Sequence, residues 1–282
     1  AGILLARNNS RIIGVVVNDH PKYEGRVLED GFVMSSLNAL SHEVNKKGYF
    51  LMIKTTTDIN EIIVFASMWN MDGLILIGFC EANYEKLRNQ MRISFVVYDG
   101  YFDKCSKFVN LVIDHYDGGY KAGEYFKKLG HKKALCISDN YICMDKERID
   151  GFCKAFAPGE TVIWQIPNTK KERVKFYKDK FLELSMLGIT GVFAVSDYYA
   201  LDFMQFLQGK GVQIPKDLQI IGMDDSMASR ESIPALTTIH QDADLRAKTA
   251  IECIEDMREG RDFGTRVVLP VKLIKRESTR KL

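Results

Sequence analysis

Four charged residues stand where predicted strands end or predicted helices begin. Asp99 follows one predicted strand, Asp197 follows another and begins a helix, and Asp224 comes just after a third. Arg148 lies one turn inside a predicted helix. Carboxylates and a bidentate guanidinium are groups that hold vicinal hydroxyls. Three carboxylates and one arginine facing one cleft would suit a neutral polyol or a cation better than an anion.

Each charged residue also has a structural interpretation. Asp99 stands before a glycine, a pair that is typical of turns. Asp197 is suited to the N-cap or the first position of its helix. Arg148 is close enough in sequence to form a surface salt bridge with Asp145 or Glu147.

Aromatic residues near the ends of predicted strands could supply a face for the ring of a ligand. The candidates are Tyr23, Phe79, Tyr101, Trp164 and Tyr198. Residues of this kind are more often part of the core or of the lip of a cleft than stacking platforms. The sequence leaves open which of them would stack on a ligand.

Motifs for other kinds of chemistry are missing from the sequence. The six cysteines include no C-x-x-C pair, and the five histidines include no H-x-x-x-H pair. Neither a Walker A motif nor G-x-G-x-x-G or G-x-S-x-G occurs. We therefore predict no metal, no cofactor and no enzymatic activity.

The composition is that of an ordinary globular protein, with 46% apolar and 27% charged residues. The net charge of +2 argues against nucleic-acid binding by this chain alone, because nucleic-acid-binding domains usually carry a marked basic excess. Apolar runs are strand-sized, and the N-terminus lacks the pattern of a signal peptide. These observations predict a cytoplasmic protein with reduced cysteines and no membrane segment.

Short β-rich runs alternate with longer helical patterns along the chain. The predicted strands are Ile12–Val17, Tyr49–Lys54, Gly73–Ile77, Ile93–Tyr98, Phe108–Ile113, Lys133–Ile137, Thr161–Ile166, Gly191–Val195, Leu218–Gly222, Thr237–His240 and Arg266–Ile274. The predicted helices are Glu24–Lys47, Asp58–Asn70, Ala82–Met91, Asp114–Leu129, Asp145–Phe156, Lys170–Leu187, Asp197–Lys210 and Leu245–Arg258.

Repeated β-α-β units with almost continuously apolar strands predict an α/β fold of two doubly wound parallel-sheet lobes, joined by three crossovers. We assign residues 12–113 and 242–263 to the N-terminal lobe, and residues 114–241 and 264–282 to the C-terminal lobe. A ligand is expected between the lobes, at the carboxyl ends of the strands.

From Ile12 onward the chain resembles the effector-binding core of the LacI/GalR family of bacterial transcription regulators, a fold like that of type I periplasmic binding proteins. Several stretches carry the resemblance in the family's order and spacing. They are RIIGVVV (11–17), NMDGLILIG (70–78), ISFVVYDG (93–100), Val112–Ile137, KERIDGFCKAF (146–156), Gly191–Asp225, PALTTIHQD (234–242) and LPVKLIKREST (269–279). Two stretches depart from the family pattern: HPKYEG (20–25) and the sequence around Trp164.

The resemblance implies roles for particular residues. Asp99, Arg148, Asp197 and Asp224 match positions at which the family contacts its effector, which is most often a sugar, sugar phosphate, nucleoside or purine. The segment 1–11 resembles the end of the family's hinge, where Leu5 would be the leucine that wedges into the DNA minor groove. A helix-turn-helix headpiece is expected before Ala1.

Three functions from different classes follow. The first is the sensing and dimerising core of a transcription regulator, in which a sugar-like effector alters operator binding by the headpiece. We expect its homodimer interface to include Asp58–Asn70 and Ala82–Met91. The second is a solute-binding receptor for a sugar transporter, and an enzyme on the same scaffold ranks third. A helix-turn-helix, a winged helix or a signal peptide before Ala1 would separate the first two.

Overall fold

The computed structural model describes residues 10–79, 84–100, 108–261 and 264–281. The chain forms two compact units. Unit 1 comprises Ala1–Ile113 and Asp242–Leu269, and unit 2 comprises Asp114–Gln241 and Pro270–Leu282. Each unit contains a six-stranded sheet built from β-α-β repeats. The predicted α/β fold with two parallel-sheet lobes is confirmed.

The strands are β1 (Ile12–Val17), β2 (Phe50–Thr55), β3 (Gly73–Ile77), β4 (Phe95–Tyr98), β5 (Phe108–Ile113), β6 (Lys133–Ser138), β7 (Glu160–Gln165), β8 (Gly191–Ala194), β9 (Gln219–Asp224), β10 (Thr237–Gln241), β11 (Arg266–Leu269) and β12 (Val271–Ile274). The helices are α1 (Gly31–Lys46), α2 (Ile59–Met68), α3 (Tyr84–Gln90), α4 (His115–Lys128), α5 (Cys143–Phe156), α6 (Lys170–Met186), α7 (Asp197–Gly209), α8 (Met227–Glu231) and α9 (Ala243–Glu259).

The sheet of unit 1 has the strand order β11-β5-β4-β3-β1-β2, and all these pairs are parallel. Strands β3, β4 and β5 are buried along their whole length. Since alternate side chains of a strand point to opposite faces, continuous burial means that both faces of the sheet are covered. This is why these strands have nearly unbroken apolar sequences.

Helix α1 begins later than the sequence pattern predicts. The predicted helix starts at Glu24, but Pro21–Tyr23 and Val27–Glu29 form separate 3-10 turns. The α-helix begins at Gly31, where the Asp30 carboxylate accepts hydrogen bonds from two backbone amides at 3.1 Å. This N-cap fixes the start of the helix because it satisfies amides that have no partner within the helix.

The predicted boundary at residue 264 is wrong for residues 264–269. The sequence pattern runs Arg266–Ile274 together, whereas the structure divides this segment at Pro270. Strand β11 pairs with β5 in unit 1, and β12 pairs antiparallel with β10 in unit 2. Pro270 lacks an amide hydrogen for a sheet ladder, so it suits the break between the two pairings.

The sheet of unit 2 has the order β12-β10-β9-β8-β6-β7. Starting from β6, the chain adds β7 on one side and β8 on the other, so the strand order reverses between β6 and β8. The carboxyl ends of β6 and β8 lie side by side at this point, which is where open α/β sheets bind ligands. Helices α4 and α5 pack backbone to backbone in this unit. A Cβ at Gly119 would lie 1.8 Å from the carbonyl oxygen of Arg148, and one at Gly151 would lie 2.1 Å from that of Tyr116.

None of the helices in the described ranges is long and apolar enough to cross a bilayer. No group of three or more metal-ligating side chains occurs among the described residues.

Candidate functional site

The carboxyl edge of the unit 2 sheet, called the unit 2 edge, begins with the polar residues after β6. Asn140 donates its side-chain amide to Asp139 Oδ1 at 3.0 Å and to Asp145 Oδ2 at 2.9 Å. The Ser138 hydroxyl also donates to Asp145 Oδ2, at 3.3 Å. The unit 2 edge therefore holds two half-buried carboxylates, and Asn140 fixes their positions.

Arg148 projects from α5 beside these carboxylates, and its side chain is only 7% exposed. Its Nε donates to His115 Nδ1 at 3.1 Å, and its Nη1 donates to the Val195 carbonyl at 2.6 Å. Its Nη1 also lies 3.6 Å from Asp145 Oδ1, so the predicted pairing with Asp145 is present, but as a largely buried pair and not as a surface salt bridge. Because a guanidinium can only donate, His115 must accept through Nδ1. These contacts hold the Arg148 guanidinium in one place.

Asp224 contributes a further carboxylate to the unit 2 edge. It is the last residue of β9, it is half-buried, and its Oδ1 accepts from the Gln241 side chain at 2.8 Å. Its φ is 130°, which is unusual for a residue with a Cβ. Backbone strain of this kind concentrates at binding and catalytic sites.

Asp197, for which the sequence predicts a role at the start of a helix together with a ligand role, lies inside the fold. It is 1% exposed, and it accepts from Thr238 Oγ1 at 2.6 Å, from the Ser226 amide at 2.8 Å and from Ser226 Oγ at 3.0 Å. Burial raises its pKa above the usual range, although these hydrogen bonds oppose the shift. The carboxylate joins the start of α7 to the segments after β9 and within β10. These contacts account for the structural role that the sequence offers for Asp197.

Asp99 of unit 1 is likewise bound within its own unit. Its Oδ1 lies 2.8 Å from Arg246 Nη2, and both side chains are almost completely buried. Arg246 also lies over the Tyr98 ring, 4.2 Å from its centroid. Asp99 has a φ of 54°, which agrees with the alternative interpretation of the Asp-Gly pair as a turn. Its main partner is therefore Arg246, which sequence reasoning did not find.

The aromatic candidates differ in accessibility. Phe79 is 1% exposed within the unit 1 core, and Trp164 is 5% exposed with its ring edge-on to Phe176. Neither ring is available as a stacking platform. Tyr198 is 41% exposed at the start of α7, and Tyr23 is half-buried in a 3-10 turn.

Two of the predicted functional residues lie outside the described ranges. These are Tyr101, which was a stacking candidate, and Leu5, which the resemblance places in the DNA hinge.

Asp225, next to Asp224, belongs to an ion-pair cluster that supports the unit 2 edge. Burial would raise its pKa, but a hydrogen bond to Arg276 and the charges of Arg276 and Arg230 hold the pKa below its usual range. His240 Nδ1 lies 2.9 Å from Asp225 Oδ2.

Sequence reasoning missed several residues of the unit 2 edge. Asp139 and Asn140 directly follow β6, so the rule that selected Asp99 would also have found them. His115 and Gln241 also stand at strand ends, but their roles depend on contacts with Arg148 and Asp224 that the strand pattern does not show. The complete set offers carboxylate acceptors and amide, guanidinium and phenol donors, which together can hydrogen-bond a polyhydroxylated molecule.

Comparisons with known proteins agree with this fold. Residues 124–279 match the family model of the periplasmic binding protein-like domain. The HTH-type transcriptional repressor PurR of Vibrio cholerae is 25% identical over 98% of this chain and 82% of its own length.

Two solved structures share the fold. A LacI family regulator from Enterococcus faecium with bound ribose is 25% identical, with a TM-score of 0.76 over 96% of this chain and 99% of that chain. A periplasmic binding protein/LacI transcriptional regulator from Alkaliphilus metalliredigens, in complex with D-xylulofuranose, is 23% identical, with a TM-score of 0.76 over 96% of this chain and 100% of that chain. This chain belongs to the periplasmic binding protein-like family, as the effector-binding core of a LacI-type transcription regulator.

Proposed function

We propose that the effector of this regulator core is a small sugar or sugar-like molecule that binds at the unit 2 edge. The observation that carries this proposal is the placement of four charged residues at one edge of one sheet: Asp139, Asp145 and Arg148 lie at or after the end of β6, and Asp224 ends β9, with only β8 between these two strands. Carboxylates outnumber the one guanidinium in this grouping. A neutral polyol is therefore a better match than an anion.

The relatives support a sugar as the ligand class. The Enterococcus faecium regulator carries ribose, and the Alkaliphilus metalliredigens protein carries D-xylulofuranose. Occupancy of the site would alter operator binding through a headpiece outside this sequence. The net charge of +2 fits a core that does not hold DNA by itself.

Replacing Asp224 with Asn should weaken ligand binding with little effect on folding. The Asn side chain keeps an oxygen that can accept from Gln241, but it loses the charge that a ligand hydroxyl would meet. A hydrogen bond to a charged group contributes roughly 1.5–3 kcal/mol, so the Kd should rise about 10- to 100-fold. Calorimetric titration with D-ribose, ribose 5-phosphate, adenosine and hypoxanthine would identify the ligand class and measure this change.

Asp179→Asn is the matched control for Asp224→Asn. Asp179 is an exposed residue of α6, so its substitution removes the same charge from unit 2 without touching the unit 2 edge. The control should bind like the parent chain. Equal affinities for parent and Asp224→Asn would show that the ligand binds elsewhere, and binding of no probe by the parent chain would reject the proposed ligand class.

Homodimerisation through unit 1 is part of the proposal. Helix α2 and its C-cap expose Val64, Met68 and Trp69 at 53%, 68% and 48%. Clustered apolar side chains at a surface favour association. Light scattering should give a dimeric mass for the parent chain and a lower mass for Met68→Asp, because a charge in an apolar interface is costly to desolvate. A monomeric parent chain at every concentration would contradict this part of the proposal.

A solute receptor for a sugar transporter is the alternative on the same fold. The curated relatives are transcriptional regulators rather than enzymes or receptors, and we therefore propose a cytoplasmic site of action. The PurR relative, which aligns with 98% of this chain, is the observation that favours a regulator.

A further inference from the structure

A completely buried arginine lies behind the exposed Tyr198. The side chain of Arg173, on α6, is 0% exposed, and its Nε lies 2.8 Å from Asp202 Oδ2. Its Nη1 donates to the Asn168 carbonyl at 2.5 Å, and its Nη2 donates to the Tyr198 hydroxyl at 2.8 Å. A buried guanidinium is stable only when its charge and its N–H groups have partners. Asp202 supplies the opposite charge, and the other two contacts use further donors.

The contact with Tyr198 restricts what that side chain can do. Because arginine has no acceptor, the phenol oxygen must accept from Arg173, and the phenol hydrogen is left for another acceptor. The guanidinium also lies over the ring, 5.1 Å from its centroid. Tyr198 is therefore fixed at two points while 41% of it remains exposed at the unit 2 edge.

We infer that Arg173 is a positioning residue, which holds Tyr198 so that its hydroxyl donates to an acceptor oxygen of the ligand. This inference rests on the proposed function and adds that the ligand presents a ring, carbonyl or hydroxyl oxygen towards α7. A side chain that is already fixed loses less conformational entropy when it binds. The oriented phenol also complements the carboxylates of the unit 2 edge, which can only accept.

A purely structural role would not require this arrangement. Asp202 already neutralises Arg173, and Tyr177 also donates to Asp202, at 3.4 Å, inside the aromatic cluster with Phe203. The buried Tyr177 therefore also contacts the Arg173–Asp202 ion pair. Tyr177→Phe perturbs the pair without touching Tyr198, which makes it the matched control.

The test uses the full chain with 3-fluorotyrosine at position 198 and titrations with D-ribose and adenosine. In Arg173→Lys the ammonium keeps its charge beside Asp202, but it cannot reproduce the planar fork that also reaches Tyr198. We expect one narrow fluorine resonance in the parent chain and in Tyr177→Phe, and a broadened or split resonance in Arg173→Lys. The Kd should rise about five- to tenfold in both Arg173→Lys and Tyr198→Phe, as for the loss of one hydrogen bond. The double variant should be no weaker than Tyr198→Phe alone.

An unchanged resonance and an unchanged Kd in Arg173→Lys would overturn the inference, and so would additive losses in the double variant. If Arg173→Lys does not fold, Arg173→Met combined with Asp202→Leu removes both buried charges and is measured in the same way. If the parent chain binds neither probe, the proposed sugar ligand fails. The fluorine resonance then decides by itself whether Arg173 positions Tyr198.

Discussion

Gly119→Ala should strongly destabilise unit 2. The new Cβ would lie 1.8 Å from the carbonyl oxygen of Arg148, so α4 and α5 must move apart by about 1 Å or more to relieve the overlap. Overpacking a core commonly costs about 1–3 kcal/mol, and a backbone obstacle places this site at or above the upper end of that range. Urea denaturation would measure the loss.

Gly209→Ala is the control, because a Cβ at Gly209 meets no atom within 4 Å at the end of α7. Removing a helical glycine there should be neutral or stabilise the chain by up to ~1 kcal/mol. Because the obstacle at Gly119 is the backbone of Arg148, the residual folded Gly119→Ala protein should also bind ligand more weakly. Parent-like stability of Gly119→Ala would show that the two helices are farther apart than the structure has them.

Asp197→Ala should lower the free energy of unfolding by about 3–5 kcal/mol, because it deprives Thr238 and Ser226 of a buried charged acceptor. An unsatisfied buried donor loses its bond to water without gaining another partner. The measurement is again urea denaturation, combined with a ligand titration below the midpoint temperature of the variant. The Kd of the folded variant should stay within about threefold of the parent value, since Asp197 is 1% exposed.

For Asp224→Asn we expect the opposite of the result for Asp197→Ala: a free energy of unfolding like that of the parent chain and a higher Kd for the ligand. The two variants therefore distinguish a structural carboxylate at the start of α7 from a proposed ligand-binding carboxylate at the end of β9. A stable Asp197→Ala variant without ligand binding would restore the ligand role that the sequence predicts for Asp197. Loss of stability without loss of affinity would support the structural role.

The strands and their order along the chain could be predicted because their signals are local. Buried parallel strands such as β3 need apolar residues at consecutive positions, and this pattern is visible without knowledge of any partner. The position of Asp224 at the end of β9 follows from the same pattern. The predicted start of α1 at Glu24 is too early because apolar residues at helical spacing occur on both sides of Asp30. The spacing alone does not show that Asp30 caps the helix, which therefore begins at Gly31.

The roles of the charged residues depended on contacts that no local pattern contains. Asp99 and Asp197 each follow a strand, as Asp224 does, yet Arg246 binds the first and Thr238 and Ser226 bind the second. These partners come from distant parts of the chain, and burial decides whether a carboxylate meets a ligand or a neighbouring side chain.

The sequence by itself determined the fold class, the two lobes and the family, because hydrophobic periodicity and ordered motifs are properties of short segments. Only the tertiary structure decided which polar residues remain at the unit 2 edge and which are used inside it. It leaves Arg148, Asp224 and Tyr198 at this edge beside Asp139 and Asn140, and it buries Asp197, Phe79 and Trp164. The physical reason is that hydrogen-bond partners and burial are set by long-range packing, which the spacing of residues along the chain does not encode.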